Sequence, residues 1–161
     1  MSATPGSVRA KVLTVSDGVA AGTREDTGGR GLVAFLESNG FAVDDHRVVP
    51  DGIESVAAAL GEMTAGFGGL VVTTGGTGFG PRDLTPEGTR AVIERDAPGL
   101  AEAMRLVNPL GRLSRGVVGT VGRCIVCNTP GSPKGAVEQL AAIIDVLPHA
   151  IALLGETPTA H

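Results

Sequence analysis

Residues 71–89 read VVTTGGTGFGPRDLTPEGT, an apolar segment running through four glycines into Thr85-Pro86-Glu87. GLVVTT at 69–74 is continuously apolar up to its two threonines, as expected of a strand covered on both faces. Thr85-Pro86-Glu87 sets a hydroxyl, a first-turn proline and an acid where a helix should begin. A buried strand, a glycine-rich connection and a helix start together make one strand–helix unit of an α/β domain.

The same alternation runs outward in both directions. VRAKVLTVS at 8–16 is a short apolar run rich in β-branched residues, and FAVDDHRVV at 41–49 is a second one. Between them, residues 28–38 place Leu32, Phe35 and Leu36 on one helical face, with Asn39-Gly40 as a stop. DGIE at 51–54 spells a capping box ahead of Ile53, Val56, Ala57 and Leu60. Downstream, the helix opened at Thr85 should run to about Arg95, and Pro98-Gly99 should break it before a further helix over 100–107. Residues 114–120 and 123–128 read as two strands around a Val121-Gly122 turn. Ser132-Pro133 then opens a long helix carrying Val137, Leu140, Ile144, Leu147, Ile151 and Leu154, which Pro148 should kink or split. The expectation is a single α/β domain over 1–161 with an ordered core of about 8–155 and a mostly parallel sheet.

Composition narrows the function classes. Apolar residues make up 42% of the 161, which suits a folded globule, while aromatics are only 2%. That leaves few platforms on which single-stranded nucleic acid could stack. The net charge of −4, with no run of Lys or Arg, lacks a phosphate-backbone footprint. No apolar run approaches the ~20 residues of a membrane span, and the N-terminal residues carry no secretory apolar region, so a cytoplasmic location is expected. Cys124 and Cys127 form a C-x-x-C, but on a strand a spacing of three turns the thiols to opposite faces, and both read as core residues.

In a parallel sheet, ligands collect at the carboxyl ends of the strands. The polar segments SDGVAAG, TTGGTGFGPRD and NTPGSPKG each follow a strand and should gather along one edge. The glycine loop spells neither G-x-x-x-x-G-K-[ST] nor G-x-G-x-x-G. Gly75, Gly76 and Gly78 nevertheless allow backbone N–H groups to approach an anion, with the Thr74 and Thr77 hydroxyls beside them. A plain turn is the alternative. Asp51 reads as a helix cap or as a catalytic carboxylate; Asp83 reads as an Asx turn or as a second such carboxylate. Two carboxylates facing a triphosphate would suit Mg²⁺. Ser132, at a helix N-terminus, reads as a cap or as an anion contact.

Four motifs in order, VSDGVAAGTREDTGG, VVPD, TTGGTGFGPRDLTPE and LSRGVVGTVGRCIVCNTPGSPKG, resemble those of the MogA/MoaB family of molybdopterin adenylyltransferases over about residues 8–155. The resemblance implies a three-layer αβα molybdopterin-binding fold and usually a homotrimer. It implies transfer of AMP from Mg-ATP to the terminal phosphate of molybdopterin with release of pyrophosphate; a non-catalytic molybdopterin carrier is the alternative. It assigns catalysis and Mg²⁺ binding to Asp51 and Asp83, and nucleotide phosphates to Thr74, Gly75, Gly76, Thr77 and Gly78. Molybdopterin would be held by Ser16, Asp17, Asp26, Ser114, Arg115, Pro130, Gly131 and Ser132. Hand-over to a molybdate-insertion enzyme would follow.

Overall fold

In the computed structural model, which describes residues 6–156, the alternation of apolar runs becomes one six-stranded sheet. The chain runs β1 (Arg9–Val15), α1 (Asp17–Ala20), α2 (Thr27–Ser38), β2 (Ala42–Val49), α3 (Ile53–Thr64), β3 (Gly68–Thr74) and α4 (Thr85–Arg90). It continues through β4 (Arg95–Asp96), α5 (Pro98–Arg105), a 3₁₀ turn (Pro109–Leu113), β5 (Val118–Val121), β6 (Arg123–Thr129), α6 (Pro133–Ala141) and α7 (Leu147–Gly155). The sheet order is β2-β1-β3-β6-β5-β4. Strands β2, β1, β3 and β6 are parallel, and the β5–β6 hairpin adds an antiparallel edge.

The period-2 alternation of each central strand divides its side chains between two cores. Ala10, Val12, Leu70, Val72, Ile125 and Cys127 face α2, α5, α6 and α7, meeting Leu32, Leu36, Met104 and Leu140. Leu13, Val15, Val71 and Val126 face α3, meeting Val56, Leu60 and Met63. These are the three layers expected. The cysteines follow the same rule: the Cys124 thiol donates to the Phe67 carbonyl, whereas Cys127 contacts the Met104 sulfur at 3.5 Å on the opposite face. Burial pushes the Cys127 thiol up to about 12, so it stays protonated and inert.

Four local readings change, each because a tertiary contact or backbone constraint overrides a local signal. The DGIE box does not form: α3 starts at Ile53 behind Gly52, and no side chain caps it. Thr85 begins α4 without capping it, since its hydroxyl donates to the Gly75 carbonyl at 2.9 Å. That helix stops at Arg90 rather than near Arg95, because Glu94 and Ala97 donate their N–H groups to Thr120 and Val118 and so lay β4 against β5. Pro98 starts α5 instead of merely ending a helix, a first-turn position where its missing N–H costs nothing. The final helix does split, into α6 and α7, with the break at 142–146 and Pro148 taken into the first turn of α7.

Asn128 locks the hairpin to the rest of the fold. Its amide donates to Thr73 Oγ1 at 3.0 Å and Thr89 Oγ1 at 2.9 Å, and its oxygen accepts the Val117 N–H at 3.1 Å, all buried. Asn128→Ala would orphan these groups and should cost about 1–3 kcal/mol, measurable as a lowered urea midpoint at unchanged slope.

Candidate active site

The carboxyl ends of the four parallel strands meet at one edge. Ser16 and Asp17 leave β1, Asp51 follows β2, Gly75 follows β3, and Pro130-Gly131-Ser132 follows β6. Backbone bonds stitch these exits together. The Gly75 N–H donates to the Thr129 carbonyl at 3.1 Å, and Thr74 Oγ1 donates to the Pro130 carbonyl at 2.8 Å. The N–H groups of Asp17 and Asp51 each donate to the other residue's carboxylate, at 2.9 and 3.1 Å.

The glycine loop turns sharply because its first two residues have positive φ, +101° at Gly75 and +70° at Gly76. A Cβ at Gly75 would lie 2.2 Å from the Val15 carbonyl oxygen; one at Gly76 would lie 2.2 Å from Thr85 Oγ1 and 3.1 Å from Asp51 Oδ1. The loop backbone therefore passes directly beside Asp51. Asp83 folds back over the other end: its Oδ2 accepts the Gly80 N–H at 2.9 Å and sits 2.9 Å from where a Cβ of Gly78 would be. Between the two carboxylates, the N–H groups of Gly76, Thr77 and Gly78 have no acceptor among the described residues. An oxyanion would satisfy them.

Two adjoining cavities open here. One, of about 410 Å³, is lined by Ser16, Asp26, Asp51, Thr74, Gly75 and Gly76 among others. The second, of about 610 Å³, is lined by Thr77, Gly78, Ser114 and Pro130 together with the exposed Leu110 and Leu113. Gly76, Asp83, Gly131 and Ser132 belong to both. Ser132 caps α6, its Oγ accepting the Gly135 N–H at 3.2 Å, and Ser16 caps the short α1 in the same way through Val19.

Asp17 and Arg115 line neither cavity. The Asp17 carboxylate turns to Arg82, which meets it with Nε at 3.1 Å and Nη2 at 2.9 Å. Arg115 is built into the loop's support: its backbone N–H holds the Thr77 carbonyl, its guanidinium holds the Gly78 and Asp83 carbonyls, and it pairs with Glu87. Both act on the site through the backbone.

Arg82, Thr14 and His46 are the residues that reading the sequence missed. Arg82 also donates to the Asp51 carbonyl at 3.0 Å, which ties the Asp83 segment to Asp51. Its position immediately before Asp83 was the available signal. Asp26 caps α2 through the Gly29 N–H at 2.9 Å while its Oδ2 accepts Thr14 Oγ1 at 2.8 Å and lies 2.8 Å from His46 Nε2. Residues 32 apart in sequence (14 and 46) carried no local hint of that contact.

The electrostatics separate the aspartates. Arg82 holds the Asp17 carboxyl below its usual range. Burial pushes Asp51 up; the Asp17 N–H opposes this, while the charges of Asp17 and Asp83 add to it. No group of three or more His, Cys, Asp or Glu forms a metal cage among the described residues. Two converging carboxylates without a cage fit Mg²⁺, which takes one or two such ligands and completes its shell with phosphate and water.

A family model described as a probable molybdopterin binding domain matches residues 11–149. The chain belongs to that family. The molybdopterin biosynthesis enzyme MoaB from Thermus thermophilus superposes with a TM-score of 0.86 at 44% identity, covering 94% of this chain and 98% of that one. A molybdopterin adenylyltransferase from Haemophilus influenzae is 38% identical, over 83% of this chain and 72% of its own length. Gephyrin from Dictyostelium discoideum is 33% identical over 91% of this chain, which spans only 22% of that protein's length. No helix among the described residues of this molybdopterin-binding-domain protein is long and apolar enough to cross a membrane.

Because Asp51 does not cap α3, its substitution should not loosen that helix. Its carboxyl is raised in the folded state, so the native protein holds that proton more tightly than the unfolded chain, and this contribution to stability falls as pH rises through the window above the usual aspartate range. Asp51→Asn keeps the acceptor for Asp17 and removes a desolvated charge. The variant should melt at or above the wild-type temperature at pH 7 and lose the wild-type dependence on mild acid; a lower melting temperature would show that the Asp51 charge stabilises the fold.

Proposed function

We propose that this chain is a molybdopterin adenylyltransferase. The observation that carries the reading is the row of N–H groups at Gly76–Gly78, without an acceptor among the described residues, set between Asp51 and Asp83 where a polar and a more apolar cavity meet. The polar cavity would take the ATP phosphates and the second the pterin. A phosphate oxygen of molybdopterin attacks the α-phosphorus of ATP, the bond to the β-phosphate breaks, and pyrophosphate leaves. Such a transfer needs alignment and charge neutralisation rather than a protein nucleophile.

Each residue then has a task. The Gly76–Gly78 amides hold phosphate oxygens, and the Ser132 end of α6 offers further N–H donors to an anion at the junction. Asp51 and Asp83 would hold Mg²⁺, which would offset the repulsion between a triphosphate and their own carboxylates. Ser114, Pro130 and Gly131 would line the space for molybdopterin, Ser16 and Asp26 fall on the ATP side in the first cavity, and Asp17, Arg82 and Arg115 would keep the two aspartates in register. The reading extends to a cytoplasmic homotrimer that passes its product to a molybdate-insertion enzyme, and light scattering tests the trimer.

Purified protein incubated with molybdopterin and Mg-ATP should yield one pyrophosphate per adenylylated product, and EDTA should stop it. A folded protein that forms no product would sink the proposal; molybdopterin binding without pyrophosphate release would establish a carrier instead.

A further inference from the structure

Across Arg115 from the glycine loop lies a third cleft, of about 310 Å³, lined by Arg90, Arg105 and Arg115, by Asp96, and by the Gly116–Val118 backbone. Three arginines and one carboxylate residue line it, on a chain whose net charge is −4. How each arginine uses its donors separates them. Arg9 and Arg82 show the pairing an arginine makes when a carboxylate is in reach: the Nε–H and Nη2–H edge spans both oxygens, of Asp44 and Asp17 respectively. Arg115 spends the same edge on the Gly78 and Asp83 carbonyls. Arg105 spends only Nη1, on the Gly116 carbonyl at 2.8 Å, and its Nε–H/Nη2–H edge has no acceptor among the described residues. Arg90 makes one long contact, 3.4 Å from Nη1 to Asp96.

Arg105 is thus a half-buried guanidinium fixed to the wall of a cleft with its forked edge unspent. That edge matches two oxygens of one oxyanion, and the match is both strong and geometrically specific. We propose that this cleft binds a small oxyanion, a phosphate or a carboxylate, two of whose oxygens lie across the Arg105 edge while Arg90 supplies a second positive charge. The site lies apart from the glycine loop but is wired to it. Ser114 lines both this cleft and the second cavity, and Arg115 reaches from the cleft to the carbonyls of Gly78 and Asp83. An anion placed here competes with Glu87 for Arg115 and is felt at the Asp83 backbone.

Titration of ¹⁵N-labelled protein at constant ionic strength, with inorganic phosphate and in parallel with succinate, tests this without any assay of turnover. The amide signals of Gly116, Val117 and Val118, which line this cleft and neither of the other two, should shift saturably, and the tighter of the two anions identifies the ligand class. Arg105→Gln should weaken binding at least about tenfold, and Arg105→Lys, which keeps the charge but loses the fork, should weaken it as well. Arg90→Gln removes only a long, exposed contact and should weaken binding several-fold, which preserves the test if an Arg105 variant fails to fold. The proposal is overturned if these amides stay still up to about 20 mM of either anion, a concentration that fills even a millimolar site. It is equally overturned if Arg105→Gln and Arg105→Lys bind as the wild type does.

Discussion

Asp83→Asn should leave a folded protein whose turnover falls by at least about 100-fold. The carboxylate's one structural duty is to accept the Gly80 N–H at 2.9 Å, and the amide oxygen of asparagine can accept the same bond. The loop is held from elsewhere, by Arg115 on the Gly78 and Asp83 carbonyls and by Thr85 on the Gly75 carbonyl. What the substitution removes is a negative charge beside Asp51 at the junction of the two cavities. Stability should therefore stay within about 0.5 kcal/mol of wild type, as expected of a partly exposed polar swap. Pyrophosphate release and thermal melting on the same preparation check both halves. A variant that melts early yet remains active in its folded fraction would make Asp83 a turn residue and nothing more.

Gly75→Ala should be among the most damaging single methyls in the molecule. The residue sits at φ +101°, where an L side chain is strained, and its Cβ would stand 2.2 Å from the carbonyl oxygen of Val15 on the neighbouring strand. That oxygen ends β1, a strand paired on both sides, with β2 and β3. Backbone strain of about 1–3 kcal/mol and overpacking of similar size add to a loss of about 2–5 kcal/mol. Gly61→Ala is the control. It lies inside α3, a Cβ there meets nothing within 4 Å, and alanine should stabilise the helix by about 0.5–1 kcal/mol. Denaturant midpoints of the two variants should move in opposite directions; equal shifts would remove the steric argument for the loop.

The pattern of success in reading the chain follows the range of the forces involved. Strands β1, β2, β3 and β6 were legible because a strand covered on both faces reads as a short apolar run rich in β-branched residues. The opposite facing of Cys124 and Cys127 came from the two-residue period of a strand. Helix ends were less legible. Asp51 spelled a capping box, but its carboxylate found the Asp17 N–H across the sheet edge, a bond made only after β1 and β2 are paired. Thr85 spelled a cap and became a brace for Gly75. In both cases one polar side chain had a local and a distant partner available, and tertiary packing decided between them.

By itself, the sequence determined the class of fold, the edge of the sheet at which the glycine loop, Asp51, Asp83 and Ser132 would gather, and the family to which their spelling is similar. Those are consequences of apolar runs and helical spacing, of glycine placement and of the rule that parallel strands end on one side. The tertiary structure alone decided how the two aspartates are held, by Arg82 joining Asp17 to the Asp51 backbone, and how the loop is braced, by Arg115. It also set Thr14 and His46 against Asp26 and left the forked edge of Arg105 open beside Gly116. The physical reason is the reach of the interactions. Periodicity is written in neighbours along the chain, whereas these guanidinium groups find their acceptors 11 to 65 residues away and only once the sheet has brought them together.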